Sequence, residues 1–260
     1  MRIVKLDILD IKTQKINRKP DGSYLYRIVK LLESHEPKPI PCLIEYFNSK
    51  GFSVIFELKK MDFYNDYIDD EFDLARYAEG MGKFCSAFYV VTEDCGLLGD
   101  TSFISRLYGL TKLPIIQRDV IVSPMQIIEA KKRGASAVCL IMPAMQREFL
   151  KNLIQQAELL KIGAITEAFD AGDIQGAVEC GAKIISINLN VAYFDEHRIR
   201  SLFELIPKDV VSICHTYIDK FEDLMALKVI GFDGAVISNF YDKHQRGDIF
   251  RQISERVREL

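Results

Sequence analysis

LPIIQRDVIVSPMQIIEAKKRGASAVCLI, Leu113 to Ile141, reads as one complete strand–helix–strand unit. It opens on Pro114–Arg118 (PIIQR), a short apolar run without alternation, the pattern of a strand covered on both faces. Ser123-Pro124 then supplies a hydroxyl suited to an N-cap and a proline at the first helical position. Met125–Arg133 carries the helix, and Gly134 stands where a left-handed residue ends one. Ser136–Met142 (SAVCLIM) repeats the buried run. Two such strands joined through a helix belong to a parallel sheet with helices packed on it.

The unit recurs in both directions. Upstream lie Ser53–Lys59 (SVIFELK) and Ser86–Thr92 (SAFYVVT); downstream lie Gly163–Glu167, Lys183–Asn188, Asp209–Cys214 and Gly234–Ser238, giving eight predicted strands. Between them, Met145–Leu160 sets Phe149, Leu150, Leu153, Ile154 and Ala157 on one helical stripe. Ile199–Leu205 and Phe221–Val229 behave alike, and Ile249–Val257 closes the chain. The joins at Gly134, Gly181 and Gly231 share a helix-ending glycine. Eight alternating units predict an α/β fold, a single closed (β/α)8 TIM barrel. An open doubly wound sheet would carry a glycine-rich phosphate loop after its first strand, where Lys60-Met61-Asp62-Phe63 stands instead. Residues 1–260 therefore read as one domain. Residues 1–50, with predicted helices at Tyr24–Leu32 and near Leu43–Phe47 linked past Pro37, Pro39 and Pro41, form an N-terminal helical extension packed on the barrel, or else a flexible arm.

The 260 residues, 48% hydrophobic and 27% charged, suffice for one large core. A net charge of −3 and the lack of long like-charge runs argue against nucleic acid or a membrane as partner, and leave a small-molecule substrate. The six cysteines are scattered without metal-ligand spacing and read as small hydrophobes. Charges interrupt the apolar residues of Met1–Asp7, so no signal peptide is read there, and no stretch nears the about 18 apolar residues of a membrane span. A cytoplasmic protein, monomeric or weakly dimeric, is the expectation.

A barrel of this kind places its chemistry at the C-terminal ends of its strands. Strand one delivers Glu57, Lys59 and Lys60 there; strand two Thr92, Glu93 and Asp94; strand three Arg118 and Asp119; strand five Thr166 and Glu167. Asn188 and Asn190 follow from strand six, His215 and Thr216 from strand seven, Ser238 and Asn239 from strand eight. Glu57 and Lys59, two apart, project to one face. A carboxylate in a buried strand is costly unless paired. Glu57 and Glu167 are thus either halves of structural ion pairs or groups for general acid–base work. Arg118-Asp119 is either a rim ion pair or an anion contact. His215 is either a hydrogen-bonded structural residue or part of the site; His35, His197 and His244 fall in linkers or on helix faces. Asp66, Asp69, Asp70, Glu71 and Asp73 read as solvated charge at a helix N-terminus. No metal site is expected.

These residues also carry a resemblance. Leu113–Ile141, Phe56–Lys60 (FELKK), Val91–Glu93 (VTE), the GAKIISIN stretch ending at Asn188 and Leu205–Ile213 (LIPKDVVSI) are, in order and spacing, similar to the indole-3-glycerol-phosphate synthase family. The resemblance implies a carboxy-lyase of tryptophan biosynthesis. It would close an indole ring from 1-(2-carboxyphenylamino)-1-deoxyribulose 5-phosphate, losing carbon dioxide and water without a cofactor. It implies Glu57 and Lys59 as an acid–base pair, Glu167 as a further catalytic carboxylate and Asn188 as a holder of substrate hydroxyls.

The departures matter as much. Arg118 replaces the family's strand-three lysine, taken as a general acid, and a guanidinium keeps only the electrostatic part of that task. Asp62-Phe63-Tyr64 replaces Ser-Pro-Ser, and Asn190 replaces an arginine. His215-Thr216-Tyr217 replaces Glu-Ser-Gly, and Ser238-Asn239 replaces Gly-Ser, in the two loops that cradle phosphate. Three expectations stand: the family reaction, a diverged paralogue acting on another small and anionic ligand, or a catalytically silent barrel used as a binding or regulatory subunit.

Overall fold

The computed structural model describes residues 42–62, 67–189, 193–238 and 247–260, together with Lys12, Gln14, Lys30 and Glu33. The Tyr24–Leu32 helix and the Pro37–Pro41 link predicted above lie, single residues apart, outside the described residues.

Eight strands close a barrel: β1 Ser53–Leu58, β2 Ala87–Val91, β3 Ile115–Arg118, β4 Ala137–Ile141, β5 Gly163–Ala168, β6 Ile184–Asn188, β7 Val211–His215 and β8 Gly234–Ile237. Each is parallel to its neighbours in chain order, and β1 pairs with both β2 and β8. The helices are α1 Leu43–Lys50, α2 Leu74–Met81, α3 Ser102–Leu110, α4 Pro124–Arg133, α5 Arg147–Leu159, α6 Ala171–Glu179, α7 Glu196–Phe203, α8 Phe221–Ile230 and α9 Gly247–Arg256. All eight predicted strands are present, with ends displaced by one or two residues. The largest shift is at β7, which starts at Val211 because Val210 N–H is used in a turn to Pro207.

Local chemistry sets the α4 boundaries as the sequence indicates. Ser123 accepts from Met125 N–H, and Gln126 reaches back to accept from Ser123 N–H, so the first turn is capped from both sides. Gly134 and Gly231 end their helices at φ 99° and 116°, a region closed to most side chains.

Alternation along each strand divides the core into two shells. Ile55, Tyr89, Ile116, Cys139, Ile165, Ile184, Ile213 and Val236 pack inside the barrel. Val54, Phe56, Leu58, Val90, Leu140 and Ile185 face outward into the helices. Leu43 and Phe47 of α1 belong to the inner shell. A Cβ built on Gly163, the first residue of β5, would lie 3.4 Å from the Leu43 Cβ, so α1 floors the end where the strands begin.

Past β1, Met61–Asp62 pairs antiparallel with Tyr67–Ile68, a ribbon the sequence did not announce. The acidic cluster beside it is only partly solvated charge. Asp73 caps α2 through Ala75 and Arg76 N–H, as expected, but Asp69 is buried, accepting from Tyr77 Oη–H and Glu71 N–H. Burial removes water from the carboxylate, and these two donors replace what it lost. Asp66 lies outside the described residues.

Candidate active site

Two residues beyond an inward isoleucine, four strands carry a polar side chain at or next to their last residue, and in three of them Ile55 leads to Glu57, Ile165 to Glu167 and Ile213 to His215. Ile116 leads likewise to Arg118, and Ile184, after Ser186, to Asn188. The parity that fills the barrel lower down therefore points these groups into its mouth. Register keeps them level, with Asn188 opposite His215 and Ile141 opposite Glu167.

There they form one charge network. Lys59 Nζ lies 3.3 Å from Glu57 Oε2. Arg118 spans the mouth, Nε 3.4 Å from Glu57 Oε1 and Nη2 3.5 Å from Glu167 Oε1. Asn188 Nδ2–H donates to Glu167 Oε1 at 2.8 Å. His215 stands between the carboxylates, Nε2 4.0 Å from Glu57 and Nδ1 3.8 Å from Glu167. Burial alone would raise the Glu57 carboxyl, but Lys59, Arg118 and His215 together hold it below the usual carboxylate range. Burial would lower the Arg118 guanidinium, yet Glu167 and Glu57 push it well upward, so it remains a fixed cation. Two carboxylates balanced by two cations, with a titratable imidazole between them, suit proton transfer on a polar substrate.

Of the two readings left open for Arg118-Asp119, the rim ion pair does not form. Arg118 turns inward to the glutamates, and Asp119, of opposite parity, turns away from it. Thr216 is buried, and its Oγ1 has no hydrogen-bond partner among the described residues. Ser238 and Tyr217 are half-buried at the adjoining strand ends. Asn190 and Asn239 lie outside the described residues, as do Phe63, Tyr64, His35 and His244; His197 is exposed on α7.

A second polar cluster lies beside the mouth, where the sequence placed Thr92, Glu93, Asp94 and Asp119 at strand ends but did not reveal their partner, Lys12. Lys12, from the segment set aside as an extension, is buried with Nζ 2.5 Å from Asp119 Oδ1, 3.3 Å from Asp94 Oδ1 and 3.8 Å from Glu93 Oε1. Asp119 also accepts from Thr92 Oγ1–H at 2.8 Å and from Val120 N–H at 2.7 Å. Burial opposes the ammonium, but Asp119 first, then Asp94 and Glu93, raise its pKa. No local spacing signals this contact, since Lys12 and Asp119 are 107 residues apart.

Glu93, Asp94 and Cys95 bring donor atoms within 4.8 Å of one another, a grouping not anticipated from spacing. They do not fit a metal. Glu93 already accepts from the N–H groups of Cys95, Gly96 and Leu97, and the Lys12 ammonium holds the place a cation would take. Among the described residues, no helix is long and apolar enough to cross a membrane.

A family model described as indole-3-glycerol phosphate synthase matches residues 8–246. The chain is 30% identical over 227 residues to the indole-3-glycerol phosphate synthase of Acetivibrio thermocellus, covering 86% of this chain and 85% of that one. It is 28% identical over 240 residues to that of Carboxydothermus hydrogenoformans, covering 88% and 91%. Among solved structures, a mutant tryptophan synthase alpha-subunit from Pyrococcus furiosus aligns with a TM-score of 0.62 at 11% identity, covering 81% of this chain and 99% of that one. The N-acetylmannosamine-6-phosphate 2-epimerase from Clostridium perfringens aligns at 0.61 and 16%, covering 87% and 99%. At such identities the structures share the barrel and nothing finer.

Proposed function

The chain belongs to the indole-3-glycerol phosphate synthase family, and we propose that it carries out the ring closure, decarboxylation and dehydration of 1-(2-carboxyphenylamino)-1-deoxyribulose 5-phosphate. The observation that carries this reading is the network of Glu57, Lys59, Arg118 and Glu167, four charges from three strands gathered at one buried mouth.

Each group has a task. In ring closure the aromatic carbon bearing the carboxylate attacks the ketone carbon, and the ketone oxygen gains negative charge. Arg118 meets that charge with a fixed cation and no proton to give. Lys59, held by Glu57, donates the proton that makes the oxygen a hydroxyl. Carbon dioxide departs with its bonding electrons returned to the ring. The hydroxyl then leaves as water with a second proton, and Glu167 takes the C–H proton that completes the indole. Asn188 fixes Glu167 through its amide and turns Oδ1, which has no hydrogen-bond partner among the described residues, toward substrate hydroxyls. Thr216 and Ser238 are assigned to the phosphate and His215 to the substrate, and Asn239 and Asn190 keep the phosphate and substrate roles expected of them from the sequence. The substrate is thus a small anion, and a monomer or weak dimer is sufficient, because one chain supplies every group named.

A silent barrel is disfavoured by the network itself, since burying charges costs several kcal/mol that apolar side chains would avoid. A paralogue with another small anionic ligand is favoured by one feature: Tyr217 stands where the family's glycine lets backbone N–H groups approach phosphate. Incubation with the carboxyphenylamino-deoxyribulose phosphate separates the readings. Indole fluorescence should rise against a tryptophan-free background, and Lys59→Ala or Glu167→Gln should lower kcat by about a hundredfold or more. No fluorescence from well-folded wild-type protein would remove the family reaction and leave the paralogue.

A further inference from the structure

His215 ends β7 where the resemblance leads one to expect a carboxylate, and its two ring nitrogens face two different acids. Nδ1 is 3.8 Å from Glu167 Oε1, and Nε2 is 4.0 Å from Glu57 Oε2. Nδ1 has no hydrogen-bond partner among the described residues although the ring is buried. The surroundings hold the ring in that bridging place. Tyr89 meets it edge-on, ring centroids 6.0 Å apart at 89°, while Asn188 and Val236 stand opposite it on β6 and β8. The charged groups around it are Glu57 and Lys59 from β1, Arg118 from β3 and Glu167 from β5. Of the three basic side chains, the guanidinium cannot release its proton, and Lys59 pairs with Glu57. Only the imidazole can accept on one nitrogen while releasing from the other near neutral pH.

We propose that His215 is a proton carrier that returns the proton collected by Glu167 to Glu57, and so to Lys59, between turnovers. The inference rests on the reaction proposed above. That reaction draws two protons, one for the ketone oxygen and one for the departing hydroxyl, and releases one from carbon to Glu167. Nδ1 takes the released proton from the Glu167 carboxyl, the Nε2 proton passes to Glu57, and Glu57 restores the ammonium of Lys59. The second proton consumed in each cycle comes from solvent, and exchange with solvent, loss at Nδ1 and gain at Nε2, resets the ring to its starting tautomer, so the balance closes. The present separations shorten to hydrogen bonds around a reacting substrate, as catalytic contacts commonly do. His215 thereby couples two carboxylates on opposite sides of the mouth, which the fixed Arg118 cation cannot do by proton transfer.

Two measurements test the relay. In steady-state kinetics across pH, His215→Asn keeps a polar side chain of similar size but cannot carry a proton. Its kcat should fall about a hundredfold with KM within about threefold, and the near-neutral limb of the pH profile should vanish. Added imidazole should restore part of the turnover of His215→Ala. A His215→Asn variant whose kcat and pH profile match the wild type overturns the proposal. If wild-type protein does not turn over the substrate, the reaction fails and the relay is judged without it. The imidazole of His215 is then titrated by NMR in wild type, Glu57→Gln and Glu167→Gln. Neutralising either acid should move the titration to lower pH, because each removes a charge that favours the imidazolium. A curve unmoved by either substitution rejects the bridge.

Discussion

Glu57 shows how one side chain links stability to chemistry. The neighbouring Lys59, Arg118 and His215 hold its carboxyl below its ordinary value of 4.5 against the effect of burial. A group whose pKa is depressed by folding stabilises the protein above its unfolded value, and that stability disappears as pH falls through the folded one. Acidification from about pH 6 to about pH 3 should therefore lower the wild-type Tm more steeply than that of Glu57→Gln, which has no such proton to bind. The two proteins differ most near neutrality and converge in acid; thermal melts followed by circular dichroism across that range check this, and parallel slopes would refute it. Arg118 belongs to the same scale. Its identity was legible in the chain, but its two partners depended on parity at a strand end. Arg118 sits two residues past an inward isoleucine, so it faces Glu57 and Glu167, while Asp119 is turned toward Lys12.

Elements meet at the Lys12 socket. An N-terminal segment delivers an ammonium to the ends of β2 and β3, where Asp119, Asp94 and Glu93 converge. Asp119 is held from the other side by Thr92, which in turn accepts from Gln117 Nε2–H at 2.8 Å. The strand end that presents Arg118 is thus fastened to Lys12 through the next residue. Lys12→Met leaves the Asp119 charge buried without its cation and should cost about 3–5 kcal/mol of stability. Lys12→Met with Asp119→Asn removes both charges, so the double variant should lose less than the sum of the single ones, a coupling of at least about 1 kcal/mol. Urea denaturation of the four proteins gives the cycle; strict additivity would show that the socket holds nothing together. The sequence does not reveal this contact, because periodicity and caps act over a few residues while the socket joins groups 107 apart.

At the scale of the whole molecule, closure of the barrel is the event on which the site depends. The first and last strands meet along Ser53–Gly234 through Phe56–Ile237. A Cβ on Gly234 would lie 2.7 Å from the Ser53 carbonyl oxygen, and backbone cannot step aside as a flexible side chain can. Gly234→Ala should therefore strain the seam and cost about 1–3 kcal/mol, read as a lower midpoint in denaturant; an unchanged midpoint would mean that the seam yields freely. The eight buried strands, the helix stripes, the proline-led start of α4 and the glycines at helix ends could all be read from the chain, since each is fixed by interactions among near neighbours in sequence. So could the roster of polar residues at strand ends, because closing a barrel of parallel strands puts every C-terminus on one rim. What only the tertiary structure decided was partnership: Arg118 with both glutamates, His215 between them, Lys12 against Asp119, and Asp69 accepting from the Tyr77 hydroxyl. Local pattern sets which face of an element is buried, but which charge meets which depends on the register of strands far apart in the chain, and register exists only once the barrel has closed.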